Sequence, residues 1–276
     1  MDSVSAVKPR DVRTVRAWDR EADVVVVGLG SAGVCAGIEA ASTGASTLVL
    51  EAAWRGGGTT AESTAQIYMG GGTPLQQACG FDDTPDEMFK YLMASCGPEA
   101  DEAKVRLFSD ESVAHYRWFT DRGVPFEQGF VPYEASTMPM PGASLSYTGS
   151  ERAYPYREIA RPAPRGHTVQ RDGVGSGEYL MQILVEQFER VGGEIQPNAR
   201  SETLVVDSEG RVVGVVARVG SEPCLVRARR GVILTTGGFI QNPEMLRWYA
   251  PEVLRCGRPI AAETSDDGSG IRMGIG

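Results

Sequence analysis

Histidine is nearly missing from the sequence: His115 and His167 are the only two in 276 residues, so a metal site built from histidines is not expected. Cysteine is also sparse. Its five positions, Cys35, Cys79, Cys96, Cys224 and Cys256, are odd in number and never fall at CxxC or zinc-like spacing. That pattern predicts buried thiols in a reducing compartment and no disulfide framework. Lys and Arg form no dense run and the formal net charge is -9, which leaves no electrostatic footprint for nucleic acid or an anionic membrane. No apolar run is long enough for a bilayer, and the N-terminal MDSVSAVKPRDVRTVRAWDREAD lacks the apolar middle of a signal peptide. Together these absences predict a cytoplasmic protein with no stable membrane insertion whose partner is a small molecule. What is present is ordinary for a globular domain, 42% hydrophobic and 23% charged residues, enough for a sizeable core.

Asp23 to Val27 is a short valine-rich run bounded by glycine, the pattern of a strand buried on both faces of a parallel sheet. Ser31 to Thr43 reads as a small-residue helix ended by Gly44, and Thr47 to Leu50 as a second strand, completing a βαβ unit. Thr84-Pro85-Asp86-Glu87 has the form of a capping box with proline at the first helical position, and Asp101 to Asp121 is a further helical run. Gln128 to Gly175 is rich in Pro, Gly, Ser and Tyr. Its aromatics Phe130, Tyr133, Tyr147, Tyr154 and Tyr156 argue for ordered loop with short strands. From Gly177 an amphipathic helix places Leu180, Ile183, Leu184, Phe188 and Val191 on one stripe and ends at Gly192-Gly193. Glu202 to Val206, Val212 to Arg218 and Cys224 to Ala228 form a three-stranded meander, after which Gly231 to Gly238 reads as another buried strand running into glycines. The final DGSGIRMGIG begins a helix, and a domain seldom stops in a helix's first turns, so the chain is expected to be a fragment of a longer protein.

The segment DVVVVGLGSAG carries the GxGxxG spacing. Gly28 permits the turn out of the strand, Gly30 lets backbone approach a pyrophosphate, and Gly33 lets the helix pack close to the sheet. The helix from Ser31 then directs free amides and its positive end at the phosphates. Glu51, at the end of the second strand, is placed to accept the ribose hydroxyls, which disfavours a 2'-phosphate and hence NADP. NAD and FAD share this fingerprint. A second glycine-rich loop, Gly56-Gly-Gly-Thr-Thr-Ala-Glu-Ser63, could wrap the pyrophosphate from the other side.

With that loop, the sequence resembles the flavoprotein family that includes soluble fumarate reductases and 3-ketosteroid dehydrogenases. The likeness runs from Asp23 to Gly276 through the dinucleotide turn, the GGTT loop, IYMGGGTP at Ile67 to Pro74, the meander, TTGGF at Thr235 to Phe239, and DGSGIRMG. Ile67 to Asp86 looks most like the 3-ketosteroid dehydrogenases, especially the branch acting at the Δ4 bond. The resemblance implies an α/β, Rossmann-like FAD-binding domain with a parallel sheet, a β-meander and long loops, spanning residues 22–276 after an N-terminal extension of residues 1–21, incomplete at its C-terminus and without its cap domain. It implies non-covalent FAD held by backbone at Gly28, Gly30, Ser31, Ala32 and Gly33, by Glu51 with Ala52 at the ribose, and by Gly58, Thr59, Thr60 and Ser63 around the pyrophosphate and flavin. Thr64 and Ala65 would lie beneath the ring, the adenine contact would fall on backbone near Glu202, and Asp267 would be the acid of a GDG-like motif. Where relatives carry Ser-Gly-Gly, this chain has Ser63-Thr64-Ala65, which puts side chains where bare backbone would pass. The loop contains no histidine to attach a flavin covalently, and no Cys-x4-Cys pair follows the first βαβ unit.

The implied chemistry is dehydrogenation of a carbon–carbon bond next to a ketone, with a proton leaving to a base and a hydride to flavin N5. The catalytic acid and base are expected beyond Gly276. The alternatives are a fumarate-reductase-like enzyme for small unsaturated acids and a non-catalytic FAD-binding remnant. Other candidates read as structural: His167 as a loop histidine bonded to backbone, Tyr147, Tyr154 and Tyr156 as packing anchors, Asp82-Asp83 and Asp266-Asp267 as solvated caps, and Met138 and Met140 as gap fillers that could instead line an apolar substrate mouth.

Overall fold

The computed structural model describes residues 5–132, 140–171, 176–256 and 266–276, so Tyr133 and Met138 lie outside the described residues. The chain divides into two compact units, Met1–Glu62 with Leu184–Gly276, and Ser63–Ile183.

In the first unit the described residues form a seven-stranded sheet in the order Arg10–Asp11, Ala199–Val206, Val212–Val219, Glu222–Leu234, Arg20–Val27, Thr47–Leu50, Glu194–Gln196. Arg20–Val27 is parallel to both neighbours, with Val24 to Val27 opposite Thr47 to Leu50 on one side and Gly231 to Leu234 on the other. Val25, Val26, Val49 and Leu50 are buried, as the apolar run requires of a strand covered on both faces. The helix Ser31–Ser42 buries Gly33, Val34, Gly37, Ile38 and Ala41 along one face, and Gly37 lets it meet the Phe188 ring. Gly44 ends it at φ +83, where glycine carries no Cβ penalty.

The meander is present, but its third strand does not stop at Ala228. Glu222–Leu234 is one strand, antiparallel to Val212–Val219 in its first half and parallel to Arg20–Val27 in its second. A register shift between Ala228 and Gly231 absorbs two arginines, and Arg229 turns out to Glu21 and Asp23, each 2.9 Å away. The polar interruption that looked like a strand break in the sequence is a bulge carrying an ion-pair cluster. Residues 5–11 belong to the same unit: Arg10–Asp11 extends the sheet, and the Val7 amide donates to the Arg272 carbonyl of the helix Ser269–Gly274.

The second unit carries a four-stranded sheet in the order Gln66–Tyr68, Gly166–Thr168, Leu145–Ser146, Phe130–Val131. The predicted helical run from Asp101 is two helices, Glu102–Asp110 and Ser112–Thr120, hinged at Glu111. Thr84 caps Pro85–Cys96 by accepting from the Glu87 amide, but the Glu87 carboxylate turns to Lys90 and the Arg161 amide. The reciprocal capping box is at Thr73 and Gln76, heading Pro74–Ala78. The loop aromatics do anchor by packing: Phe81 meets Phe130 edge-on at 4.7 Å, and Phe130 meets Tyr147 at 5.8 Å. Tyr154, by contrast, is exposed, as is Val191 at the end of the amphipathic stripe.

Candidate cofactor site

The first unit encloses a cavity of about 650 Å³ at the carboxyl ends of the parallel strands, the place where open α/β sheets bind ligands. Gly28 leaves Arg20–Val27 at φ +101, and a Cβ there would stand 2.7 Å from the Thr235 carbonyl oxygen. At Gly33 a Cβ would stand 2.0 Å from the Gly28 oxygen. Both glycines are therefore demanded by the fold itself. Gly30 differs, because nothing lies within 4 Å of its missing Cβ, and the space a side chain would fill is open cavity. Gly30, Ser31 and Ala32, at the head of the helix Ser31–Ser42, line the cavity.

The second glycine loop folds back on the first. The Gly57 amide donates to the Leu29 carbonyl at 2.8 Å, Thr60 Oγ1 donates to Ser31 Oγ at 3.1 Å, and the short helix Gly58–Glu62 lines the cavity. Glu51 ties the strand ends together: its Oε2 accepts from the Leu29 amide and its Oε1 from the Ala53 amide, each at 2.7 Å. A carboxylate offers about four acceptor positions, so two remain for hydroxyl donors. Ala52, beside it, also lines the cavity.

On the opposite wall the sequence reading and the structure part by one or a few residues. Ala199, Arg200 and Ser201 line the cavity, whereas the Glu202 side chain points away to Arg218 at 2.9 Å. Asp266 lines the cavity and accepts from Thr59 Oγ1 at 2.9 Å, so it is not a solvated cap. Asp267 lies one residue before the Gly268 cap of the helix Ser269–Gly274; it accepts from the Ser269 amide at 2.9 Å and pairs with Arg200. Partial burial works to raise the Asp267 pKa, but the hydrogen bonds from Ser269 and Arg200 outweigh it and hold the carboxyl below the usual range. The sequence missed Asp266 because adjacent acids before a helix look alike, and only the fold decides which one turns inward.

Ser63, Thr64 and Ala65 belong to the second unit. Ala65 is buried at φ +50, a left-handed conformation that favours glycine, and its amide donates to Ser63 Oγ at 3.1 Å. The backbone at this position thus keeps a glycine-like conformation with alanine in place.

Two polar residues judged incidental from sequence organise the interior of the second unit. Asp83 is no solvated cap: it is fully buried and grips Arg165 through two bonds, Nε to Oδ2 at 2.9 Å and Nη2 to Oδ1 at 2.8 Å. Burial opposes the charge on Arg165, but Asp83 overcomes it and raises the guanidinium above its ordinary value. Asp83 also accepts from the Gly71 amide and from Gln76, whose Oε1 accepts from the Gly72 and Thr73 amides. The loop of three glycines is thereby held by side chains. His167 is buried on its strand, Nδ1 donating to the Arg165 carbonyl at 3.1 Å and Nε2 2.9 Å from Thr73 Oγ1. Burial pulls its pKa down to about 4, so it is neutral at pH 7 and structural, as expected.

A buried parallel sheet, a strand–glycine turn–helix cradle and a ribose-ready carboxylate define a dinucleotide-binding protein. The comparisons narrow this. Residues 23–275 match the model of the FAD binding domain family, and the chain belongs to that family. It is 29% identical to the acrylate reductase flavoprotein subunit of Shewanella woodyi over 83% of this chain and 41% of that protein. It is 34% identical to the 3-oxo-5-alpha-steroid 4-dehydrogenase of Comamonas testosteroni over 73% of this chain and 38% of that protein. The solved structure of 3-ketosteroid Δ4-(5α)-dehydrogenase from Rhodococcus jostii RHA1, in complex with 4-androstene-3,17-dione, superposes with a TM-score of 0.93 at 48% identity, covering 98% of this chain and 56% of that one. The chain spans about half or less of the length of these curated relatives. Its cofactor is FAD, and the open cradle at Gly30 with unused acceptor positions on Glu51 fits that group. Among the described residues no cluster suits a metal ion, and no helix is long and apolar enough to cross a membrane.

Proposed function

We propose that this chain is the FAD-holding part of an oxidoreductase that dehydrogenates a 3-ketosteroid-like substrate at the carbon–carbon bond beside its ketone. The observation that carries the reading is the 48% identity, over 98% of the chain, to the Rhodococcus 3-ketosteroid Δ4-(5α)-dehydrogenase. Bound FAD supplies the acceptor for the two electrons removed from the substrate. The chain's own residues bind and orient it: backbone at Gly28, Gly30, Ser31 and Ala32 faces the diphosphate, Gly33 allows the close helix, and Glu51 with Ala52 holds the ribose. Gly58, Thr59 and Thr60 close the second side, Ser63, Thr64 and Ala65 serve the flavin, and backbone from Ala199 toward Glu202 serves the adenine. Asp267 acts by holding the Ser269 amide at the start of the helix Ser269–Gly274. Attachment is non-covalent, since the loop Gly56 to Ser63 has no histidine; release of yellow colour on denaturation tests this. Five free cysteines support a reducing, cytoplasmic setting.

The test is to incubate the whole protein with a 5α-reduced 3-ketosteroid and an artificial electron acceptor, and to follow loss of two hydrogens by mass spectrometry. A Δ4 product supports the reading. The likeness to the acrylate reductase subunit keeps a second reading, reduction of small unsaturated acids. Turnover of acrylate or fumarate by the flavin-reduced protein, with no steroid product, would replace the first reading with the second.

A further inference from the structure

Trp54 is placed unlike a residue that serves the fold. It is 72% exposed, although an indole buries more apolar area than any other side chain, and it stands on the wall of the dinucleotide cavity. Its backbone surroundings are fixed. The Ala53 amide is held by Glu51 Oε1 at 2.7 Å, the Ala53 carbonyl accepts from the Asn198 amide at 2.9 Å, and the Ala199 amide donates to the Glu51 carbonyl at 2.7 Å. A tightly held main chain thus presents a large, exposed aromatic ring between the ribose carboxylate and the strand Ala199–Val206. The Arg55 guanidinium carbon lies 5.3 Å from the centroid of the indole, within cation–π range, and occupies one of its faces.

From this we infer that Trp54 is the adenine platform of the site, stacking the base of FAD on its free face, with Arg55 polarising the indole from the other. The inference rests on the FAD reading and names which end of the cofactor lies here. Stacking on an aromatic ring is tolerant of base identity, because every base has a π-face. The platform therefore supplies affinity, and recognition of adenine as such falls to the backbone of Ala199 to Ser201.

The test uses the intact protein stripped of flavin and titrated with ADP, which carries adenine and a diphosphate without the flavin's own quenching. The protein segment has four tryptophans, so the Trp54 emission is isolated by subtracting the spectrum of the Trp54→Phe variant. ADP is expected to quench that component and inorganic pyrophosphate to leave it unchanged. Trp54→Ala should weaken FAD and ADP binding about 5- to 100-fold, with Trp54→Phe staying within about threefold of the parent. Calorimetric ADP binding with unchanged Trp54 emission, together with FAD affinity in Trp54→Ala within about twofold of the parent, overturns the platform and leaves the FAD reading standing. If the parent protein takes up no FAD by visible absorbance, both fall together.

Discussion

Glu51 combines an observed task with a proposed one, and they can be separated. It accepts two backbone amides that join the ends of neighbouring strands, and its remaining acceptor positions are the ones we propose for the ribose. Glu51→Gln keeps the shape but loses the charge, and charge-assisted bonds contribute about 1.5–3 kcal/mol each. FAD affinity should fall about tenfold or more, a loss of about 1.4 kcal/mol, measured by fluorescence titration of the stripped protein. Asp83 is a different case, because its partner Arg165 is fully buried. Asp83→Ala strands a guanidinium in the interior, which costs about 3–5 kcal/mol. Urea unfolding should show that loss, and replacing both residues by apolar ones of similar volume should recover much of it. His167 adds a pH dependence. Its folded pKa, about 4, lies below the ordinary value of 6.5, so the unfolded chain binds the extra proton between those pH values. The stability tied to this histidine is intact above pH 6.5 and is lost as pH falls toward 4, by about 3 kcal/mol at most. The stability difference between the parent and His167→Gln should shrink across that window; a difference that does not change with pH would refute the assignment.

At the scale of elements, the glycine turn is controlled by sterics. A Cβ at Gly33 meets the Gly28 oxygen at 2.0 Å, so Gly33→Ala must push the helix off the strand. Overpacking of this kind costs about 1–3 kcal/mol, and flavin content should drop with it. Ala65 runs the opposite way. Alanine in a left-handed position is strained by about 1–2 kcal/mol, while glycine gives back about 0.5–1 kcal/mol in chain entropy. Ala65→Gly should thus leave stability unchanged or up to about 1.5 kcal/mol higher by urea midpoint. The N-terminal segment, which reads as an extension outside the domain, is tied to the last helix through Val7 with the Arg272 carbonyl and Ser5 with Arg272 Nε at 2.8 Å. The helical run from Asp101 breaks at Glu111, and the strand continues past Ala228, for a common reason. A break in periodicity marks a hinge, a bulge or an end, and local sequence does not distinguish them.

At the scale of the whole molecule, contacts join segments far apart in the chain. Thr59 and Asp266, 207 residues apart, meet across the second glycine loop, and Arg165 and Asp83, 82 apart, meet inside the second unit. Ligand binding to the folded state alone stabilises by mass action, about 2.7 kcal/mol at a hundredfold excess over Kd. The flavin-stripped protein should therefore melt lower than the holoprotein and recover on adding FAD, whereas FMN, lacking the adenosine half, should recover it less.

The sequence by itself determined the strand–turn–helix at Gly28 to Gly33, the place of Glu51 at the end of the next strand and the meander, because each depends on residue type and spacing within about 30 residues. What only the tertiary structure decided is pairing across distance: that Asp266 and not Asp267 turns into the cavity, that Asp83 is buried against Arg165, and that Glu222–Leu234 continues unbroken. The reason is physical. A local pattern is selected by backbone sterics and hydrogen bonding within one element, whereas the neighbour of a side chain is selected by sheet order and loop path, which no short window of sequence encodes.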